Sequence, residues 1–152
     1  MLFEVLKFEE GYRERAYYCS EKYPTIGIGT KLGPKNSPLS NYTFVVTEHA
    51  AKALLDDEVK KIRNELVKHR WYIELNSDRQ TIIKSMCYQM GVTGVFKFKK
   101  MIAALERGDY NEASLQALDS LWAKQTVARA ERHAAVLATG NLMQIYEGLI
   151  DA

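Results

Sequence analysis

The stretch Phe-Glu-Glu-Gly-Tyr-Arg-Glu-Arg-Ala-Tyr-Tyr-Cys-Ser-Glu-Lys-Tyr-Pro-Thr-Ile-Gly-Ile-Gly-Thr, residues 8–30, constrains this chain more than any other. Just ahead of it, Leu2, Val5, Leu6 and Glu9 share a face at helical spacing, which predicts a short helix over residues 2–10. Gly11 is the natural left-handed stop for that helix. Glu10 therefore falls in the last turn, where the helix dipole is negative and a carboxylate is electrostatically disfavoured. A general acid needs such a push to hold its proton near neutral pH; a solvated side chain at a frayed end is the plainer reading of the same residue.

The Tyr-rich run over residues 13–19 alternates enough to predict a strand, and Ser20, Glu21 and Lys22 read as a turn. Residues 23–30 then predict a second strand, with Ile26 and Ile28 on one face and Gly27 and Gly29 baring the other. Glycines weaken a strand unless something approaches its backbone closely, and here that is either a ligand or a packed helix. Gly33, Pro34, Asn36, Ser37 and Pro38 are loop chemistry, and the β-branched run over residues 42–46 predicts a third strand.

Everything after that reads as helix. Thr47 is a candidate N-cap for a long helix running to about His69, with an apolar stripe at Ala51, Leu54, Leu55, Val59, Ile62 and Leu66. Ser77-Asp78-Arg79-Gln80 resembles a capping box, and the helix it opens is expected to stop at Gly91. Further helices are expected over residues 95–107, from Asp109, and over 126–139, with Gly108 and Gly140 as stops and a short last helix reaching Ile150. At 152 residues and 47% hydrophobic, the chain can bury a real core as one domain or as two small lobes sharing an element. Its net charge of +2 is compatible with an anionic polymer and too small to argue for nucleic acid. Cys19, Cys87 and three scattered histidines make no ligand cluster, so no metal or cofactor is expected. Cys87, on a helix between Met86 and Tyr88, reads as a packing residue.

Glu10, eight residues, Cys19, five residues and Thr25, with Thr25-Ile26-Gly27-Ile28-Gly29 intact, resembles the signature of the T-even phage lysozymes and related phage endolysins. Two later segments extend the likeness over nearly the whole chain. Tyr88-Gln89-Met90-Gly91 resembles the family's segment bordering the substrate cleft. Trp122 with Gln125-Thr126 and Arg129-Ala130 resembles the segment carrying an Arg that pairs with the catalytic Glu. The resemblance implies an α+β, two-lobed lysozyme-like fold. A small N-terminal β-sheet lobe, residues 1–56, would join a C-terminal helical bundle, residues 57–152, through the long helix.

The same resemblance implies a muramidase that cuts peptidoglycan between N-acetylmuramic acid and N-acetylglucosamine. Glu10 would be the general acid, Cys19 and Thr25 would lie on the water side, and Arg129 would support the acid. Tyr88 and Gln89 are expected to contact substrate. Lys31, Met101 and Gln116 fall at positions where family members do so, with different identities. Better-known members carry Asp where Cys19 stands. Cys19 can therefore be a base or nucleophile, a positioner of water, or a bystander in a wall-binding protein that has lost catalysis. A lytic transglycosylase is the other alternative. The charged N-terminus has no apolar signal core, and no apolar run is long enough to span a membrane. The expectation is thus a monomer without a membrane anchor, held in the host cytoplasm until a holin-type pore releases it to the cell wall.

Overall fold

The computed structural model describes residues 1–151. The fold is α+β: a three-stranded antiparallel sheet near the N-terminus and helices through the remainder. Backbone contacts divide the chain into one unit of Phe3–Lys60 and another of Met1–Leu2 with Lys61–Ala152. The division falls inside a continuous helix.

In the first unit, helix α1 (Leu2–Glu10) has the predicted bounds and buries Val5 and Leu6 completely. Gly11 ends it at φ +73°, its N–H returning to Lys7 O at 2.9 Å. Strand β1 (Arg13–Tyr18) pairs with β2 (Pro24–Gly27), and β2 with β3 (Thr30–Lys31). The single strand expected over residues 23–30 is therefore two strands and a turn. Gly27 and Gly29 adopt φ +66° and +69°, left-handed conformations that cannot continue a strand, and the chain reverses through Ile28 and Gly29. The packed-helix explanation holds at Gly27, where a β-carbon would meet Ala51 Cβ at 3.0 Å.

No strand forms over residues 42–46. Val46 N–H reaches Glu14 O at 3.0 Å and Tyr12 OH donates to Val46 O at 2.7 Å, but β1 is irregular between Arg13 and Tyr17, where a ladder would have to continue. Leu39–Asn41 is a single 3-10 turn instead.

Helix α2 (Glu48–Leu66) begins as predicted, with Thr47 Oγ1 accepting from Ala50 N at 3.1 Å and Glu48 paired to Lys7. Ala51, Leu55, Ile62 and Leu66 are buried while Leu54 is exposed. The helix ends three residues short of His69 because the bonds of Lys68 N to Glu65 O and His69 N to Leu66 O tighten to the shorter i−3 spacing. The helical unit continues through α3 (Arg70–Ile73), α4 (Ser77–Phe96), α5 (Lys99–Glu106), α6 (Tyr110–Leu118), α7 (Leu121–Gln125), α8 (Val127–Thr139) and α9 (Leu142–Tyr146).

Asn76, one residue before the expected box, caps α4 by accepting from Arg79 N at 2.9 Å. Gly91, at φ +82° and ψ 156°, ends the first helical stretch of α4 as expected; a second stretch begins directly after it and runs to Phe96, so α5 starts later than expected. Asp109 caps α6, and Gly140 closes α8 at φ +69°, both as predicted. Arg79 fastens this unit together. Its guanidinium donates to Leu137 O (2.7 Å) and Ala138 O (3.1 Å) in the last turn of α8 and lies 3.5 Å from the Tyr110 ring centroid.

Candidate active site

Glu10 is the last residue of α1 and is half-buried. Its carboxylate is seated against the β2–β3 turn. A β-carbon at Gly29 would stand 3.0 Å from Oε2, 3.1 Å from Cδ and 3.2 Å from Cγ. Glycine is favoured at position 29 by its left-handed φ, and a β-carbon there would also push the acid beside it by a few tenths of an ångström. The close approach that the sequence suggested is made here by the chain's own carboxylate.

The antiparallel register assembles the rest of this cluster. Tyr17 lies opposite Thr25, and Thr25 opposite Lys31, so the three share one face of the sheet. The Lys31 ammonium sits over the Tyr23 ring, 4.6 Å from its centroid. The turn after β1 holds Cys19 through two backbone bonds: Lys22 N to Cys19 O (2.9 Å) and Cys19 N to Tyr23 O (3.0 Å). Lys22 supplies the left-handed residue of that turn at φ +69°. Tyr23 O also accepts the Thr25 hydroxyl at 2.9 Å, so one carbonyl ties Cys19 to Thr25. Thr25 is only 2% exposed. With its hydrogen committed to Tyr23, its hydroxyl oxygen has lone pairs left to offer.

Tyr17 is the member of this cluster that sequence reading missed. Burial, then the Glu10 carboxylate, push its phenol above the ordinary range; Arg13 opposes them, and Cys19 adds a smaller push upward. Arg13 stacks on the ring at 4.4 Å. Its signal in the sequence was the strand alternation that places it two residues before Cys19. Glu10, Tyr17, Cys19, Thr25 and Lys31 are all within the first unit.

The other expected site residues belong to the helical unit. Gln89 Oε1 accepts from Trp122 Nε1 at 2.8 Å, and Tyr88 is half-buried beside it in sequence on α4. Gln116 donates to Glu112 at 2.8 Å and lines a pocket of about 420 Å³ with Phe98, Met101 and the exposed lysines Lys97, Lys99 and Lys100. Arg129 is 7% exposed, and its Nη2 donates to Ser85 on α4. Cys87 is buried, and that burial pushes its thiol up to about 12, which fits packing rather than chemistry. Among the described residues, no group of three or more His, Cys, Asp or Glu is placed to hold a metal. No helix there is long and apolar enough to cross a membrane.

A family model described as phage lysozyme matches residues 7–136. Over 91% of this chain, the sequence is 32% identical to the pre-baseplate central spike protein Gp5 of Enterobacteria phage T4, and it spans 28% of that protein's length. Two probable T4-type lysozymes of Dictyostelium discoideum are similar along nearly their whole length. The first is 29% identical over 91% of this chain and 94% of its own; the second is 28% identical over 93% and 95%.

Proposed function

From the premise that the chain belongs to the phage lysozyme family, we propose that it is a glycoside hydrolase of lysozyme type. It cuts the β-1,4 bond between N-acetylmuramic acid and N-acetylglucosamine in peptidoglycan. The observation that carries this reading is the seat of the Glu10 carboxylate against Gly29, in one unit with Cys19 and Thr25.

Glu10 is the proton donor to the leaving sugar oxygen. A water on the opposite face of the ring is the nucleophile. Thr25 Oγ1, already donating to Tyr23, accepts a hydrogen from that water and so turns the water's lone pair outward. Cys19 is its second neighbour. With Thr25 and Cys19 both on the water side, the reaction follows direct attack by water with inversion of configuration rather than a glycosyl-enzyme route. Arg129 is the cation that supports the acid, and Tyr88, Gln89, Lys31 and Gln116 bind glycan or stem peptide.

The test is digestion of purified peptidoglycan, with products read by mass spectrometry. Wild type should release reducing N-acetylmuramic acid ends. Glu10→Gln should lose roughly 10²- to 10⁴-fold in rate, the range a positioned proton donor contributes. Anhydro-muramic ends would make the chain a lytic transglycosylase, and wild-type rates in Glu10→Gln would remove the acid from the mechanism. Cys19→Asp should keep substantial activity and Cys19→Ala lose most of it.

The match to a baseplate spike protein supports a second setting for the same chemistry, local wall penetration from a virion, beside host lysis by a holin-released endolysin. Immunodetection of the chain in purified virions separates the two.

A further inference from the structure

Four buried side chains of the helical unit form one hydrogen-bonded line. Arg129 and His133 stand a turn apart on α8 and share a face. Arg129 Nη2 donates to Ser85 Oγ (3.1 Å) and Ser85 O (3.2 Å) on α4. Ser85 Oγ lies 2.7 Å from His133 Nε2, and Tyr146 OH, on α9, lies 3.0 Å from His133 Nδ1. Ser85, His133 and Tyr146 are fully buried. The ring of Trp122, whose Nε1 holds Gln89, has its centroid 6.1 Å from that of the imidazole.

The cation sets the direction of these bonds. A guanidinium only donates, so Ser85 Oγ accepts from Arg129 and turns its own hydrogen away from the charge, toward His133 Nε2. That nitrogen is then the acceptor. Nδ1 keeps its proton and donates to Tyr146, and each bond polarises the next. The line requires a neutral ring. Burial, then the charges of Arg129 and Arg132, hold His133 well below the ordinary imidazole range. The groups around the ring are Arg129 and Arg132 from α8, Tyr146 from α9, Ser85 from α4 and Trp122 from α7.

We propose that His133, as its Nδ1-protonated tautomer, is the positioning residue that fixes the Arg129 guanidinium through Ser85. Its consequence for catalysis rests on the role given to Arg129 above. The imidazole suits the place because it accepts on one edge and donates on the other, joining two hydroxyls that no aliphatic side chain could satisfy.

Nitrogen-15 spectra of the histidine ring test the line without reference to activity. At pH 6 to 8 the expected pattern is unprotonated Nε2 with protonated Nδ1; the opposite tautomer, or an imidazolium at pH 6, overturns the proposal. Steady-state kinetics on soluble muropeptides test the consequence. Ser85→Ala should lower kcat about tenfold with KM within about twofold, and should move the basic limb of the pH–rate profile set by the acid. Tyr146→Phe, which leaves Ser85 in place, should shift that limb the same way by a smaller amount. If both variants keep the wild-type profile, whether or not their melting temperatures fall, the positioning role is wrong. Failure of the hydrolase reading would show separately, as full activity in Glu10→Gln, and the ring spectra would still decide the hydrogen-bonded line.

Discussion

The two units hold their candidate functional groups by opposite means. In Phe3–Lys60 the backbone does the work: a left-handed stop after Glu10, a glycine against its carboxylate, and a carbonyl shared by Cys19 and Thr25. In the helical unit side chains hold side chains, as Trp122 holds Gln89 and Ser85 holds Arg129. Backbone devices leave local marks in a sequence, while side-chain networks join residues that are far apart in it. The contrast also predicts different kinds of damage. Glycine changes should disturb the first unit, and removal of one polar group should disturb the second.

The largest stability effect is expected at Arg79. Arg79→Met removes two bonds from a charged donor to the last carbonyls of α8 and the contact with Tyr110, and should cost roughly 2–3 kcal/mol. Chemical denaturation measures it; a loss below about 0.5 kcal/mol, typical of an ordinary surface site, would mean that Arg79 is no fastener.

Next come the paired glycines. Gly27→Ala forces a left-handed alanine and a 3.0 Å approach to Ala51, for roughly 1–3 kcal/mol of stability, with the folded fraction still active. Gly29→Ala meets the acid instead of a helix. It should cost about tenfold in kcat, about 1.4 kcal/mol in barrier, beyond whatever its stability loss explains. Identical profiles for the two variants would break the distinction drawn between these glycines.

The pH response of His133 should be smaller. Its folded value lies below the ordinary 6.5, so below that pH the unfolded chain takes up a proton that the buried ring refuses. The stability contribution is present above about pH 6.5 and is lost as pH falls toward the folded value, by at most about 1.4 kcal/mol per pH unit. His133→Gln should flatten melting temperature against pH between 7 and 5, and an unchanged slope would contradict the neutral ring. Least of all, Lys52→Met breaks an exposed pair with Asp56 and a contact with the Phe3 ring, 5.1 Å from its centroid, and should move stability by less than about 1 kcal/mol.

The helix ends of both units were legible because their signals are local. Glu10 and Gly11 mark a helix end, Thr47 and Asp109 mark starts, and Gly140 marks a stop, each within one turn of chain. The division of residues 23–30 into two strands was not legible. Thr-Ile-Gly-Ile-Gly reads as alternation, and only the positive φ of its glycines turns it into a hairpin. Gly91 was legible as a break, but the helical stretch that restarts directly beyond it, over residues 92–96, was not. The Ser85–His133 bond joins positions 48 apart, and no periodicity reaches that far. A weak hint existed in the four-residue spacing of Arg129 and His133, which sets both on one face.

The shared oxygen of Tyr23 has a practical consequence. Because a thiol-bearing residue and a threonine hang from a single acceptor, neither can be re-aimed alone. The composition of the three-residue tip between Cys19 and Tyr23 can be varied by an engineer wherever position 22 keeps a residue that accepts its left-handed φ, but its length cannot. One inserted residue would displace the two together, and screens that diversify this tip should recover active clones only at the native length.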